Sequence, residues 1–218
     1  TLIWEAIQKN LLIPIGEYKI ILTTISGEAI PDDLDLEIYF VHDRVQQSAY
    51  SLFDADQKKI IHHKIGNIYL ENLTEDERNE KIFEIIHHMN IGSDLLETES
   101  EKLDLVKLNF HTGKRAKTSG AYEAALSYFE TGIHLLNSLK EDSILEYWRI
   151  DLFSEACETS WLLGLLEKME SFANQALLIA KSPLAKIKIY KVLITYNVST
   201  GNGVPALYRS VFQNFLCL

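Results

Sequence analysis

The chain has 218 residues, of which 47% are hydrophobic and 24% charged, a composition typical of a folded globular protein rather than a disordered or fibrous one. Lys and Arg number 21 against 31 Asp and Glu, which gives a formal net charge of −10. Because an acidic surface repels phosphate backbones and anionic lipids, neither nucleic acid nor a membrane surface is expected as a partner. Ten glycines and four prolines leave few helix breakers, and this favours a mainly α-helical fold.

The number of cysteines and the first residues of the chain indicate in which compartment the protein is expected. Cys157 and Cys217 are too few for a disulfide framework and are typical of a reducing compartment, so we expect a cytoplasmic location. No apolar run approaches the roughly 20 residues that a membrane-spanning helix needs. The chain begins at Thr1 inside a helical pattern, without a signal region. We therefore expect a piece of a longer protein.

Residues 1–53 have a mixed pattern. An apolar stripe at helical spacing predicts a first helix, and it consists of Ile3, Trp4, Ile7 and Leu11. Pro14 and Gly16 are expected to end this helix. Residues 17–24 (EYKIILTT) and 36–40 (LEIYF) alternate as strands do, and a further helix is expected from Asp43. A helix, a two-stranded ribbon and a second helix predict the later part of a winged-helix domain.

Residues 54–218 are predicted to be helical throughout. Capping boxes, in which a Ser or Thr and a Glu three residues later bind each other's backbone N–H groups, are expected at Thr74, Thr98 and Ser143. Apolar stripes predict the buried helix faces, and they comprise Val45, Ser48, Ala49, Leu52, Ile61, Ile65, Ile68, Ile82, Ile85, Ile86, Met89, Leu103, Val106 and Phe110. Short loops predict that successive helices pack as hairpins.

A repeated pattern lies in the second half of the chain. One copy has the tetratricopeptide spacing Gly-x-Tyr-x-x-Ala-Leu-x-x-Phe, with Gly120, Tyr122, Ala125, Leu126 and Phe129. Degenerate copies consist of Gly164 with Met169, Phe172 and Ala176, and of Gly201 with Ala206 and Leu207. The glycines are expected to end each first helix at positive φ, and the alanines to allow close helix approach. The spacing exceeds the usual ~34 residues, so the pattern predicts an α-solenoid of tetratricopeptide-like hairpins with longer helices.

Residues 39–50 (YFVHDRVQQSAY) resemble the junction segment of bacterial STAND-type (signal-transduction AAA-like) ATPases. Residues 114–117 (KRAK) and 121–126 (AYEAAL) resemble the helical repeats that follow it in that family. The resemblance spans residues 4–196 and implies the order nucleotide-binding domain, winged helix, tetratricopeptide-like repeats. Many members are large signalling proteins with a Ser/Thr-kinase domain before the ATPase and GAF and histidine-kinase domains after it.

The resemblance implies a role for two residues. His42 would contact the β-phosphate of ADP and hold the resting state, and Arg44 would contact a phosphate or the preceding domain. The alternatives are that His42 caps a helix beside an N-cap Asp43, and that Arg44 forms an exposed ion pair. The chain contains no Gly-x-x-x-x-Gly-Lys-Ser/Thr phosphate loop, so we expect no cofactor in this chain and assign ATP, ADP and Mg²⁺ to the longer parent.

Two histidine pairs, His62-His63 and His87-His88, raise the question of a metal site. Adjacent helical residues point about 100° apart, so neither pair chelates by itself. One histidine from each helix could meet at an interface, but no Cys or carboxylate at ligand spacing completes a set. We therefore expect no metal.

The remaining candidate residues favour structure over chemistry. The basic run consists of Lys107, Lys114, Arg115 and Lys117. Residues 1–50 hold three Lys/Arg against eight Asp/Glu, the wrong sign for a DNA reader, so the run predicts an exposed face or a contact with an acidic neighbour. Core packing is expected for Tyr122, Tyr128, Phe129, Tyr147, Trp148, Trp161 and Phe172. Cys157, Ser160 and Cys217 have no base at recognisable spacing, so nucleophilic catalysis is not expected.

These features predict a regulatory, protein-interaction segment of a STAND-type signalling ATPase, which couples nucleotide state to a kinase output without catalysis of its own. The concave face of the solenoid is expected to bind a peptide, a protein or a neighbouring domain of the parent. A free-standing adaptor and a histidine-based metalloenzyme are the alternatives. A C-terminal apolar face comprises Val211, Phe212, Phe215 and Leu216, and it is expected to be covered by a second copy of the chain or by a partner.

Overall fold

The computed structural model describes residues 2–15, 37–140 and 143–199. It divides into two compact units, Thr1–Lys58 and Lys59–Leu218. Helices account for 80% of the described residues, and the two strands in the described ranges both lie before Val41. The predicted mainly α-helical fold is confirmed.

The first unit combines short helices with a two-stranded sheet. Its elements are α1 (Leu2–Gln8), β1 (Leu12–Pro14), β2 (Ile38–Phe40) and α2 (Asp43–Ser51). The strands pair antiparallel, with Leu12 opposite Phe40 and Pro14 opposite Ile38.

The end of α1 corrects the sequence prediction. Asn10 has φ of 53°, the Leu11 N–H donates to the Ala6 carbonyl at 2.9 Å and the Asn10 N–H donates to the Ile7 carbonyl at 2.9 Å. This is a Schellman motif, with Asn in the left-handed position that usually belongs to glycine. The helix therefore ends before Leu11 and Pro14, which were predicted to lie in it or to end it.

The sheet partner also differs from the prediction. The predicted strand 36–40 is observed over Ile38–Phe40, but its partner is Leu12–Pro14, because the early helix end frees these residues to extend. The other predicted strand, residues 17–24, lies outside the described residues.

The predicted apolar face of α2 is not buried. None of its residues is buried, and Leu52 directly after it is 85% exposed. Among the described residues of its unit, α2 contacts the three-residue strand β2, which is too short to cover a helix face.

The second unit is helical in its described part. Its helices are α3 (Ala55–Asn72, which begins in the first unit), α4 (Glu75–Glu80), α5 (Ile82–Ile91), α6 (Glu99–Thr118), α7 (Tyr122–Asn137), α8 (Ser143–Leu162), α9 (Leu166–Ile179) and α10 (Pro183–Ser199). A short 3₁₀ turn, Ser93–Leu95, connects α5 towards α6.

Capping boxes begin two of these helices as predicted. The Glu77 carboxylate accepts from the Thr74 N–H at 2.8 Å, and the Glu101 carboxylate accepts from the Thr98 N–H at 2.9 Å. In each case these backbone hydrogen bonds lower the pKa of the glutamate. The third helix, α8, begins at Ser143, but its Glu146 carboxylate accepts from the Lys181 N–H at 3.2 Å and so ties the start of α10 to α8.

Two glycines form the hairpin turns of the second unit. Gly120 has φ of 79° and Gly164 has φ of 73°. Each sits in a Schellman motif: the Ala121 N–H donates to the Ala116 carbonyl at 3.0 Å, and the Leu165 N–H donates to the Ser160 carbonyl at 2.8 Å. The predicted positive φ is confirmed at both glycines, whereas the Gly201 register, with Ala206 and Leu207, lies outside the described residues.

Close approach between α6 and α7 forms the centre of the core. A Cβ added to Gly113 would lie 2.5 Å from Cε1 of Phe129, so the α6 backbone rests directly on the ring. Ala125, Leu126 and Phe129 are buried as predicted, and Tyr122 is half-buried. These residues join a core that continues into α8 and α9 through Leu152, Phe153, Ala156 and Met169.

The aromatic residues divide into buried and surface positions. Tyr128, Trp148, Trp161 and Phe172 pack half-buried against the core, in agreement with the prediction. Tyr147 does not, because 58% of it is exposed and its ring lies 4.9 Å from the Lys188 ammonium. Leu145, two residues earlier, is buried in the core, so Tyr147 lies on the opposite, exposed face of α8.

Replacement of Gly113 tests the close approach of α6 and α7. We expect Gly113→Ala to lower the free energy of unfolding by about 1–3 kcal/mol, because the new methyl group overlaps the buried Phe129 ring. Urea denaturation followed by circular dichroism measures this change. In a double-mutant cycle, Phe129→Leu should make Gly113→Ala less costly. Additive effects would contradict direct contact between the two positions.

Candidate functional site

An open groove crosses the second unit where α8 lies between α6 and α10. Of its helices, α6 and α8 are the first members of the hairpins α6–α7 and α8–α9, and α8 contacts both α6 and α10. A cavity of about 290 Å³ marks the groove. This central groove is lined by Phe110 and Lys114 of α6, by Asp151, Ser154, Glu155, Glu158 and Trp161 of α8, and by Lys188, Lys191, Val192 and Thr195 of α10.

The acidic residues of α8 are paired with lysines from both neighbours. Lys117 of α6 donates to the carboxylates of Glu155 and Glu158, at 2.8 Å for Glu158. Lys188 of α10 pairs with Asp151. Burial lowers the pKa of Lys117, but the hydrogen bonds to the two glutamates outweigh it, so the pKa lies above its ordinary value. Lysines from both sides thus pair with every carboxylate of the acidic stripe and leave it with a single net negative charge.

Two further lysines of the central groove have no such partner. Among the described residues, Lys114 and Lys191 form no ion pair, and both are exposed. The Lys114 ammonium lies 5.4 Å from the centre of the Phe110 ring, a cation–π contact that leaves its charge uncompensated. With Lys117 included, four lysines face three carboxylates, so the local balance of the groove is slightly cationic, although the whole chain is acidic.

Apolar surface accompanies these charges. Phe110 packs edge-on against Trp148 at 5.4 Å between ring centres, and Trp161 and Val192 line the same cavity. The Ser154 hydroxyl donates to the Ile150 carbonyl of its own helix at 2.7 Å. Aromatic surface next to unpaired charge is suited to recognition of a polypeptide segment. The aromatic surface buries apolar side chains of the segment, and the charges orient its polar side chains.

The basic run predicted on α6 is not one continuous patch. Lys107 pairs with Asp104 at 2.7 Å, and Arg115 donates to the Asn79 carbonyl at 2.5 Å. Lys117 contacts acidic residues of the next hairpin, so the acidic neighbour lies within this chain. Lys114 is the member of the run that faces the central groove unpaired.

His42, in the first unit, occupies the N-cap position of α2. Its φ and ψ are −144° and 145°, and its side chain is exposed and makes no capping hydrogen bond. Its carbonyl accepts from the Val45 N–H at 2.9 Å. Asp43, predicted as the N-cap, is instead the first helical residue, and Arg44 is exposed without an ion-pair partner among the described residues.

The two predicted histidine pairs do meet. The Nδ1 atoms of His62 on α3 and His88 on α5 lie 2.8 Å apart, and the His87 ring centre lies 5.7 Å from that of His62. Burial lowers the pKa of both His62 and His88, and the neighbouring histidines lower it further. Within the described part of the chain, no group of three or more potential ligands is arranged to hold a metal ion.

The candidate nucleophiles lie in the core. Burial raises the pKa of the Cys157 thiol to about 12, and its sulfur lies 3.5 Å from the Met169 carbonyl oxygen. The thiol therefore stays protonated at neutral pH, the unreactive form. Ser160 is also fully buried, and Cys217 lies outside the described residues.

The residues that form the central groove were not predicted as a site. Only Lys114 had been considered for binding, and Trp161 had been assigned to the core. The signal was present, because Asp151, Glu155 and Glu158 recur at i, i+4 and i+7 and thus share one face of α8. Their lysine partners lie 37, 38 and 41 residues away in sequence, so local pattern alone does not reveal the pairing.

Comparison with known proteins gives one informative similarity. No protein-family model matches the chain, and no solved structure matches it. The chain is 31% identical over 169 residues to hybrid signal transduction histidine kinase G of Dictyostelium discoideum. The matched region is 67% of this chain but only 5% of that protein. The chain thus resembles a segment of a large signalling protein. Within the described ranges, no helix is both long and apolar enough to cross a membrane.

Acidification is expected to destabilise the second unit through His62 and His88. Since their pKa is lowered on folding, the unfolded chain binds more protons, and the free energy of unfolding falls as pH drops below the ordinary histidine value of about 6.5. Two protonated Nδ1–H groups cannot share a 2.8 Å contact, and Glu84 offsets the effect at His88 only in part. Urea denaturation from pH 7.5 to 5 measures the slope.

The variant His88→Gln should make this pH dependence shallower, by at most about 1.4 kcal/mol per pH unit for the one proton removed. The matched control is His134→Gln, at an exposed position on α7. An equal change of slope in both variants would contradict a role for the His62–His88 contact.

Proposed function

We propose that this chain is the regulatory, protein-interaction segment of a STAND-type signalling ATPase, with no catalytic reaction of its own. The observation that carries the proposal is the central groove, in which three helices present aromatic surface and uncompensated charge to solvent. Its occupant would be a polypeptide segment, supplied by another protein or by a neighbouring domain of the parent.

Two observations support the proposal that this segment belongs to a larger signalling protein. The Dictyostelium relative is a hybrid signal transduction histidine kinase, of which a segment of this size is a small part. The resemblance of residues 39–50 to the STAND junction implies large proteins that also contain kinase domains. Both are compatible with a chain that transmits a binding event to a kinase output in the cytoplasm.

The architecture proposed for the two units follows the same family. The order α1, β1, β2, α2 is compatible with part of a winged helix. Hairpins α6–α7 and α8–α9, each turned by a left-handed glycine and packed through small residues, support a tetratricopeptide-like solenoid. In such a solenoid the first helices of successive hairpins line the binding face, as α6 and α8 line the central groove beside α10.

His42 is proposed as the nucleotide sensor of the longer protein. Its exposed imidazole stands at the start of α2, where backbone N–H groups and the helix dipole favour an anion. A charge-assisted hydrogen bond to the β-phosphate of ADP would stabilise the resting state by about 1.5–3 kcal/mol. Arg44, one residue further on, would support the same phosphate or contact the nucleotide-binding domain.

Filling the central groove tests the proposed interaction role. Dodecapeptides are selected by phage display on the full chain. They should bind the Ser154→Trp variant at least about tenfold more weakly than wild type, because the indole would fill the cavity that Ser154 lines. Ser127→Trp, at an exposed position of α7, is the matched control and should leave affinity within about twofold. Fluorescence anisotropy measures binding, and circular dichroism checks folding. Selected peptides that bind equally to wild type and Ser154→Trp would contradict the proposed function.

Replacement of His42 tests the sensor in the longer protein. We expect His42→Ala to release ADP roughly ten- to a hundredfold faster, since a contact of about 1.5–3 kcal/mol is lost from the resting state alone. His42→Gln, which retains a donor, should give an intermediate rate. Stopped-flow release of a fluorescent ADP analogue measures the off-rate, and thermal melting measures stability.

A purely structural role of His42 gives a different pattern: a small loss of stability with an ADP off-rate within about twofold of wild type. That result would refute the sensor. The isolated 218-residue chain serves as the control, because it lacks a phosphate loop and should neither hydrolyse ATP nor bind ADP tightly.

A further inference from the structure

We propose that the occupant of the central groove is an acidic peptide segment, whose carboxylates pair with Lys114 and Lys191 on opposite sides of α8. This inference rests on the proposed interaction role and specifies the chemistry of the partner.

The charges inside the groove favour an acidic ligand over a basic one. The three groove carboxylates of α8, Asp151, Glu155 and Glu158, are each paired with Lys117 or Lys188, so they offer little to an incoming cation. A cationic ligand would have to separate these pairs, and Lys117 and Glu155 are both largely shielded from solvent, which makes separation costly. The charges left over, Lys114 and Lys191, have the same positive sign.

The net charge of the chain sharpens this expectation. At −10 the protein as a whole repels an acidic peptide, and screening confines that repulsion to about 8–10 Å in physiological salt. Attraction of carboxylates therefore has to come from nearby cations, and the groove provides two on neighbouring helices. Specific binding of acidic over neutral peptides would thus report on the groove rather than on the general surface.

The positions of the lysines also constrain the length of the segment. Lys114 lies on α6 and Lys191 on α10, with α8 between them. Packed helices are about 8–10 Å apart and an extended chain rises ~3.3 Å per residue, so a segment laid across α8 would present carboxylates about five or six residues apart. Between them, Trp161, Phe110 and Val192 provide apolar surface for an intervening hydrophobic side chain.

Peptide selection followed by charge replacement tests the proposal. The probes are the dodecapeptides selected by phage display on the full chain, synthesised with a fluorescein label, together with versions in which every Asp and Glu is replaced by Gln or by Lys. We expect the selected peptides to carry at least two acidic residues, and the Gln versions to bind about tenfold more weakly. Raising the salt concentration should weaken the acidic peptides and leave the Gln versions unchanged.

The double variant Lys114→Gln/Lys191→Gln should reduce affinity for the acidic peptides by about tenfold and leave the Gln versions unaffected. The matched control, Lys64→Gln/Lys140→Gln, removes the same charge from exposed positions outside the groove and should leave affinity within about twofold. Because all four lysines are exposed, the variants are expected to fold, which circular dichroism checks.

The outcomes separate this inference from the proposed function. Selected peptides that are neutral or basic, or acidic peptides insensitive to Lys114→Gln/Lys191→Gln, overturn the acidic partner; if Ser154→Trp still blocks them, the interaction role of the groove stands. Equal loss in the groove and control lysine variants also overturns it, since general electrostatics then explains binding. Binding insensitive to Ser154→Trp overturns both.

Discussion

The contact between the Gly113 backbone and the Phe129 ring is the constraint on which the second unit depends. It brings α6 and α7 into close approach, and the Schellman turn at Gly120 connects them with only a few residues. The turn at Gly164 does the same for α8 and α9. Both helices of each hairpin bury one face in the core, and side chains on the outer faces of α6 and α8 line the central groove together with those of α10.

The central groove carries unpaired positive charge, although the chain as a whole is acidic. The excess of Asp and Glu sets the net charge of the chain, but it does not determine the electrostatic potential inside a particular groove. Each carboxylate of the acidic stripe of α8 is paired with Lys117 or Lys188, and these lysines also tie α6 and α10 to α8. Lys117 and Lys188 thus form the ion pairs that hold the helices together, whereas Lys114 and Lys191 are the lysines proposed to bind the peptide.

Local patterns predicted the parts of the fold that local physics determines. The capping boxes at Thr74 and Thr98 and the left-handed glycines at 120 and 164 depend on residues within one turn, and they were predicted correctly. The end of α1 was mispredicted because Asn10 took the role usually filled by glycine. The groove was missed because its ion pairs join residues that are 37, 38 and 41 positions apart, a separation over which local spacing carries no information. The sensor role of His42 depends on a domain that this chain does not contain, so it stays a prediction.

Fluorine NMR of the chain labelled with 5-fluorotryptophan tests the central claim most directly, since Trp161 lines the groove. The resonance is assigned with Trp161→Phe, and a selected dodecapeptide is titrated to saturation. If the peptide binds in the central groove, the Trp161 resonance will shift in proportion to the bound fraction measured by anisotropy. A resonance that stays unchanged at full saturation would contradict the central groove as the binding surface.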